Sequence, residues 1–167
     1  MEYVKEFNEI ERADLPIVGG KGVNLGLMAA AQLPVPAGFC LTVAAFSQFI
    51  AGGAEMGRFY TRLAALPAKD LTAVRSLGEE LRTYLSTLPF PTPVATAVET
   101  TWRLYGRDHA YAVRSSATAE DLPTASFAGQ QETFLQVRGL PPLLACIQRC
   151  WISLFTDRAL LYRIENG

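Results

Sequence analysis

Residues 22–54 contain no Asp, Glu, Lys or Arg. An uncharged run this long belongs either in a bilayer, which takes about 20 consecutive apolar residues, or inside a globular fold. The bilayer reading fails on the residues themselves. Pro34 and Pro36 cut the run, Gly22, Gly26, Gly38, Gly52 and Gly53 punctuate it, and Asn24, Gln32, Ser47 and Gln48 lie within it. The stretch therefore reads as packed core. The rest of the chain agrees, with 167 residues, half of them hydrophobic, and a formal net charge of −1. That balance excludes a disordered chain. Fifteen Lys and Arg against sixteen Asp and Glu leave no basic stripe of the kind that grips nucleic acid. The opening MEYVKEFNEIERAD is acidic and has no apolar leader core, which makes the expectation a cytoplasmic protein with neither membrane nor nucleic acid as partner. Cys40, Cys146 and Cys150 are expected to be reduced core thiols, with no metal site in this chain.

The coarse pattern is helix-rich α+β. Leu15-Pro16-Ile17-Val18 is a short apolar piece ahead of Gly19-Gly20-Lys21-Gly22, and a helix is expected from about Val23 to Gln32, with Leu25, Met28 and Ala29 on one side. Pro34 and Pro36 would stop it, because proline bars the preceding residue from helical angles. Gly38 to Leu41 reads as a buried strand, and Thr42 as the cap of a helix over 43–50. From Asp70, apolar residues at Leu71, Val74, Leu77, Leu81, Leu85 and Leu88 recur at the spacing of an amphipathic helix, with Arg75, Glu79, Glu80 and Arg82 outside. Thr92 is expected to cap a further helix with Pro93 at its first position, and a second such stripe holds Val94, Val98, Trp102 and Tyr105. Two short strands are expected at 110–113 and 132–137, the latter alternating Thr133, Leu135 and Val137 against Phe134 and Gln136. Pro141 and Pro142 then open a helical region reaching Arg163, within which Thr156 is placed to cap a second helix.

Two segments invite chemistry. Glycines flanking a lysine at a helix start let backbone amides and one cation approach phosphate oxygens. The spacing of Gly19-Gly20-Lys21-Gly22 is not that of the Walker loop, and a glycine turn with a solvated lysine is the commoner outcome of such a pattern. Arg114-Ser115-Ser116-Ala117-Thr118 places a guanidinium fork and three hydroxyls at a strand end, a composition suited to phosphate. A turn in which Arg114 pairs with Glu120 or Asp121 explains the same residues equally well. A third piece, Phe127 to Thr133, has the glycine and hydroxyl content of a flap, or of an ordinary hairpin end.

At these residues the chain resembles a known family. IVGGKGVNLGLMAAAQLPVPAGFCLT, YAVRSSATAEDLPTASFAGQQETFLQV and CWISLFTDRALLYRIENG are similar to the N-terminal nucleotide-binding domain of phosphoenolpyruvate synthase (pyruvate, water dikinase), pyruvate phosphate dikinase and the rifampicin phosphotransferases. Only residues 53–108 lack matching motifs. The resemblance implies an ATP-grasp-like fold of which residues 1–167 are the first subdomain. The second subdomain and the phosphohistidine domain, with the magnesium ligands, would then follow Gly167.

It further implies that Lys21, Arg114, Gly129 and Thr133 contact ATP, mainly at its phosphates, with Ser115, Ser116 and Thr118 as secondary contacts. No catalytic or metal-binding residue is assigned in this chain, and His109 matches no phosphohistidine motif. The function so implied is the ATP-binding part of an ATP-dependent phosphotransferase of the phosphoenolpyruvate synthase type, passing phosphoryl through a phosphohistidine to pyruvate. The 167 residues alone are expected to lack turnover. The alternatives are a rifampicin phosphotransferase-type enzyme and a non-catalytic interaction or regulatory module. The implied cofactors are ATP and Mg2+, and the implied partners are nucleotide and the remaining domains of the longer enzyme.

Overall fold

The computed structural model describes residues 2–67, 70–116 and 133–166, except for the side chains at 162, 163, 165 and 166. Four strands and seven α-helices are present among them: β1 (Val4–Glu6), α1 (Leu15–Ala30), β2 (Phe39–Leu41), α2 (Val43–Ala51), α3 (Met56–Ala64), α4 (Leu71–Thr87), α5 (Thr92–Tyr105), β3 (Tyr111–Arg114), β4 (Thr133–Val137), α6 (Leu140–Ile152) and α7 (Asp157–Asn166). The strands form two separate antiparallel pairs, β1 with β2 and β3 with β4. The class is helix-rich α+β, as the sequence pattern indicates.

Helix α4 follows its hydrophobic period from Val74 onward, whereas Leu71, expected in the same stripe, is 59% exposed. Val74, Leu77, Leu81 and Leu85 are all buried, and the Asp70 carboxylate caps the helix by accepting the Ala73 N–H at 3.0 Å. Around this stripe pack Phe49 of α2, Phe59 of α3, Val94 and Val98 of α5, and Leu143, Ile147 and Trp151 of α6. Trp151 stacks on Phe49 and Phe90 at centroid separations of 5.3 and 5.2 Å. Burying a leucine or phenylalanine side chain of this kind stabilises the fold by roughly 1.5–3 kcal/mol. Half of the buried residues described in this core come from 53–108, the stretch without matching motifs, and α3 within it is not among the helices anticipated from the sequence pattern.

A smaller cluster of Ile10, Val18 and Val23, with Phe7, Leu27 and Cys40 against it, seats α1 beside the antiparallel β1–β2 pair. Gly26 makes the seat possible: a Cβ there would lie 2.6 Å from Ile10 Cβ and 2.8 Å from its carbonyl oxygen. Asp14, buried at 8% exposure, anchors the same region by accepting from Lys5 Nζ at 2.7 Å and from the Glu11 N–H at 2.8 Å.

Several expectations are corrected here. The uncharged run is only partly core: Gly22, Val23, Gly26, Thr42, Ala45, Phe49 and Gly53 are buried, whereas most of 30–37 faces solvent. A proline-rich connection leaves backbone carbonyls that water must satisfy. Helix α1 ends at Ala30, before the prolines. Gln32, at φ 57°, donates its N–H to Ala29, and the Leu33 N–H reaches back to Met28 at 3.0 Å, which is a Schellman ending. Its buried face is Val18, Gly22, Val23 and Gly26, and Met28 is exposed. The Thr42 hydroxyl does not cap α2. It donates to the Glu2 carbonyl at 2.7 Å, tying down the N-terminal strand. Helix α5 begins at Thr92 itself, with Pro91 as its cap residue. The C-terminal helical region divides at a 3-10 turn over Ser153–Phe155, and, as expected, Thr156 caps the second helix, its hydroxyl accepting the Ala159 N–H at 3.4 Å. Arg82 leaves the outer face to hold this corner, donating to the Phe155 carbonyl at 2.7 Å and to Asp157 at 2.8 Å.

Candidate functional site

Glycine decides the local structure of the first segment. Helix α1 carries one non-helical residue, Gly19, at φ 73° and ψ 171°, a region that side chains other than hydrogen essentially forbid. The helix is thereby split into a single turn over Leu15–Val18 and a main body beginning at Gly20. What the sequence presents as a glycine turn before a helix is a break inside one helical run. Lys21 sits in the first turn of the main body, where backbone N–H groups lack intrahelical partners.

The second segment supplies one of those partners. The Gly22 N–H donates to Ser116 Oγ at 3.2 Å, and Lys21 Nζ donates to the Ser115 carbonyl at 3.4 Å. Gly19 permits the approach: a Cβ on it would meet Ser116 Oγ at 2.7 Å and the Ser116 carbonyl oxygen at 2.8 Å. The lysine segment and the arginine–serine segment, 94 residues apart in sequence, are therefore one site.

Strand β4 adds the third element. In the β3–β4 pair Arg114 lies opposite Thr133, and Val113 lies opposite Phe134. Directly opposed residues share a face, so Arg114 and Thr133 are side by side and both exposed. The other face carries Tyr111, Val113 and Phe134 into the main core, and the Arg149 guanidinium lies 4.4 Å from the Phe134 ring centroid. Between Tyr111 and Val113 the register shifts by one residue on β4, whose Gln136 adopts φ 57°. This bulge overturns the expected alternation. Phe134 packs against the core, Val137 is buried, and Leu135 is left 69% exposed.

Of the residues expected to meet nucleotide, the structure thus groups Lys21, Arg114, Ser115, Ser116 and Thr133. Ser115 is buried at 8% exposure, so its hydroxyl contributes less to an open surface than the exposed Arg114 beside it. Gly129 and Thr118, like Glu120 and Asp121, lie outside the described residues. Among the described residues Arg114 has no ionic partner. The role of Ser116 as acceptor for the Gly22 N–H was not legible in the sequence. Its only trace there was a hydroxyl residue following an arginine, a pattern that fits many turns.

Other titratable groups lie elsewhere. Cys40 packs beneath α1, and burial pushes its thiol up to about 11, which keeps it protonated and unreactive at neutral pH. His109 is exposed in the turn before β3. No group of three or more His, Cys, Asp or Glu able to hold a metal ion occurs among the described residues. No helix among them is long and apolar enough to cross a membrane.

Residues 15–167 match the family described as pyruvate phosphate dikinase, AMP/ATP-binding domain. The chain belongs to that family. Its relatives include a rifampicin phosphotransferase of Streptomyces sp, 47% identical over 98% of this chain and 19% of its own length. Another, from Bacillus cereus, is 43% identical over 99% of this chain and again 19% of its own length. A phosphoenolpyruvate synthase of Pyrococcus furiosus is 36% identical over 99% of this chain and 25% of its own length. The chain spans about a fifth to a quarter of the curated relatives it matches. The helix-rich α+β architecture is thereby assigned to the ATP-grasp-like class.

Proposed function

We propose that this chain is the first subdomain of a two-part ATP clamp, and that Lys21, Arg114 and Thr133, with Gly129, receive the phosphates of ATP. The observation that carries this reading is the junction of the Lys21 turn with the end of β3. Two segments remote in sequence, each bearing one cation, meet through the Lys21–Ser115 and Gly22–Ser116 hydrogen bonds in a family defined by AMP/ATP binding. Two fixed cations suit a triphosphate whose charge redistributes as a phosphoryl group departs. Donors already in place stabilise that charge without reorganising at the moment of reaction. Arg114 offers a planar fork for two oxygens and Lys21 a point charge. Thr133 adds a hydroxyl on the same face as Arg114. Ser115, Ser116 and Thr118 have supporting roles around these groups.

Mg2+ is expected to arrive with ATP and to take its protein ligands from the remainder of a longer, cytoplasmic enzyme. That enzyme would transfer phosphoryl from ATP through a phosphohistidine to pyruvate. A second acceptor is favoured by one specific observation. The alignments with two rifampicin phosphotransferases reach 43–47% identity over 165–166 residues, whereas those with phosphoenolpyruvate synthases reach 36–39%. A rifamycin hydroxyl is therefore the competing acceptor. Neither acceptor site involves the residues described here.

Calorimetric titration of the chain with ATP and Mg2+ tests the binding role. Weak but saturable binding is expected, reduced at least tenfold in Arg114→Ala and in Lys21→Ala. Undiminished binding in both variants would refute the site, and phosphorylation of pyruvate by the chain alone would refute its being half a clamp. In the full-length protein, incubation with ATP and either pyruvate or a rifamycin identifies the acceptor by which one gains phosphate. A non-catalytic module would gain none, and Arg114→Ala would leave its partner binding intact.

A further inference from the structure

Ser116 does something in this structure that its place in an arginine–serine motif does not suggest. Its hydroxyl accepts the N–H of Gly22 at 3.2 Å, in the first turn of the main body of α1. Such turns carry N–H groups with no intrahelical acceptor, and a serine or threonine immediately before the helix normally serves them. Here that position belongs to Gly19, which has no side chain to offer, and the acceptor comes from the end of β3, 94 residues away. The absence of a side chain on Gly19 is also what admits Ser116, whose hydroxyl and carbonyl oxygens lie 2.7 and 2.8 Å from where a Cβ would stand. The bond from Lys21 Nζ to the Ser115 carbonyl, 3.4 Å long, is a second tie across the same junction. One element bears Lys21, the other Arg114, and the junction sets the distance between their charges.

We propose that Ser116 is a positioning residue. As a cap supplied from a distant strand, it holds the start of α1 against the end of β3, so that Lys21 and Arg114 are in register for one polyanion before that anion arrives. The inference rests on the nucleotide reading above and deepens it. A site whose cations are already held together binds without first restricting two independent segments. The same residue acting through direct contact with phosphate would show its effect whether or not Lys21 is present. Acting through the junction, it shows its effect through Lys21.

The test uses the chain as it stands, with ATP and Mg2+ as the probe and Ser116→Ala made in both the parent and the Lys21→Ala background. Amide hydrogen exchange at Gly22, read by NMR, reports the tie itself and needs no nucleotide. Calorimetry reports affinity, and thermal unfolding confirms that each variant folds. The expected result is a Gly22 amide protected in the parent and exchanging at least about tenfold faster in Ser116→Ala. ATP affinity should fall about five- to tenfold in the parent background, the scale of one lost partly buried hydrogen bond, and less than about twofold in the Lys21→Ala background. Unchanged Gly22 exchange in Ser116→Ala would overturn the tie. Faster exchange with unchanged affinity would overturn the positioning role, as would an equal loss of affinity in both backgrounds. If the parent chain binds no ATP, the nucleotide reading fails and the positioning role fails with it, while the exchange result still reports the tie.

Discussion

Replacing Gly19 with alanine should destabilise the protein more than any other single methyl added at a glycine of α1. Two effects combine. At φ 73° and ψ 171° the backbone lies in a region that is almost exclusively glycine's, and a side chain there costs about 1–3 kcal/mol. The new Cβ would also stand 2.7 Å from Ser116 Oγ and 2.8 Å from the Ser116 carbonyl oxygen, closer than real Cβ atoms come. One of those atoms is backbone, so relief requires moving β3 or α1, and overpacking of this kind costs about 1–3 kcal/mol more. The sum, about 2–6 kcal/mol, corresponds to a lowering of the melting temperature by roughly 4–24 °C for a domain of this size. Gly57→Ala is the internal control. Gly57 is the second residue of α3, with nothing within 4 Å of an added Cβ, so alanine there should be neutral or stabilise by up to about 0.5 kcal/mol. Urea denaturation of the two variants beside the parent gives both numbers. If Gly19→Ala unfolds within about 0.5 kcal/mol of the parent, the break in α1 and its contact with Ser116 are wrong.

Other perturbations read other parts of the molecule. Leu81→Ala removes a fully buried side chain from the centre of α4 and should cost about 2–5 kcal/mol in a urea melt. Asp14 is held below the usual carboxylate range by the Glu11 N–H and by Lys5. Its contribution is therefore present above the unfolded value of 3.8 and is lost as pH falls through the lower folded one. Asp14→Asn should accordingly lower stability at pH 6–7 and flatten the acid limb of a stability-against-pH curve below about pH 4. Because the Cys40 thiol is raised to about 11, a thiol reagent at pH 8 should label it far more slowly than the same residue in urea. Spectrophotometric titration should likewise find one tyrosine ionising near 12, Tyr105, whose hydroxyl is partly buried and donates to Glu6 and to the Gly38 carbonyl.

The elements that repeat a local rule were readable without coordinates. Helix α4 announced itself because an apolar residue every three or four positions can bury a stripe in only one conformation, and Asp70 marked its start. Strands β2 and β3 and helix α2 were legible for similar reasons. The ends of α1 were not. Its start depends on Gly19 adopting a backbone angle that the sequence permits but does not demand, and its finish on Gln32 taking the left-handed angle before the prolines act. Helix α3 did carry a period, with Met56, Phe59 and Leu63 at i, i+3 and i+7, but over only nine residues. The bulge in β4 escaped because one residue inserted in a ladder leaves no compositional mark.

The candidate site divides in the same way. By itself the sequence determined which residue types were available to a phosphate, namely Lys21 among glycines, Arg114 among hydroxyls and Thr133 at a strand start. The uncharged run from Gly22 to Ala54 determined that much of the surrounding chain would pack or turn rather than carry charge. Only the tertiary structure decided that Ser116 caps the helix bearing Lys21 and that Arg114 stands opposite Thr133. Those pairings join residues far apart in the chain. They depend on how α1 and the β3–β4 pair are held by their separate hydrophobic contacts, and local sequence pattern carries no information about distances of that kind.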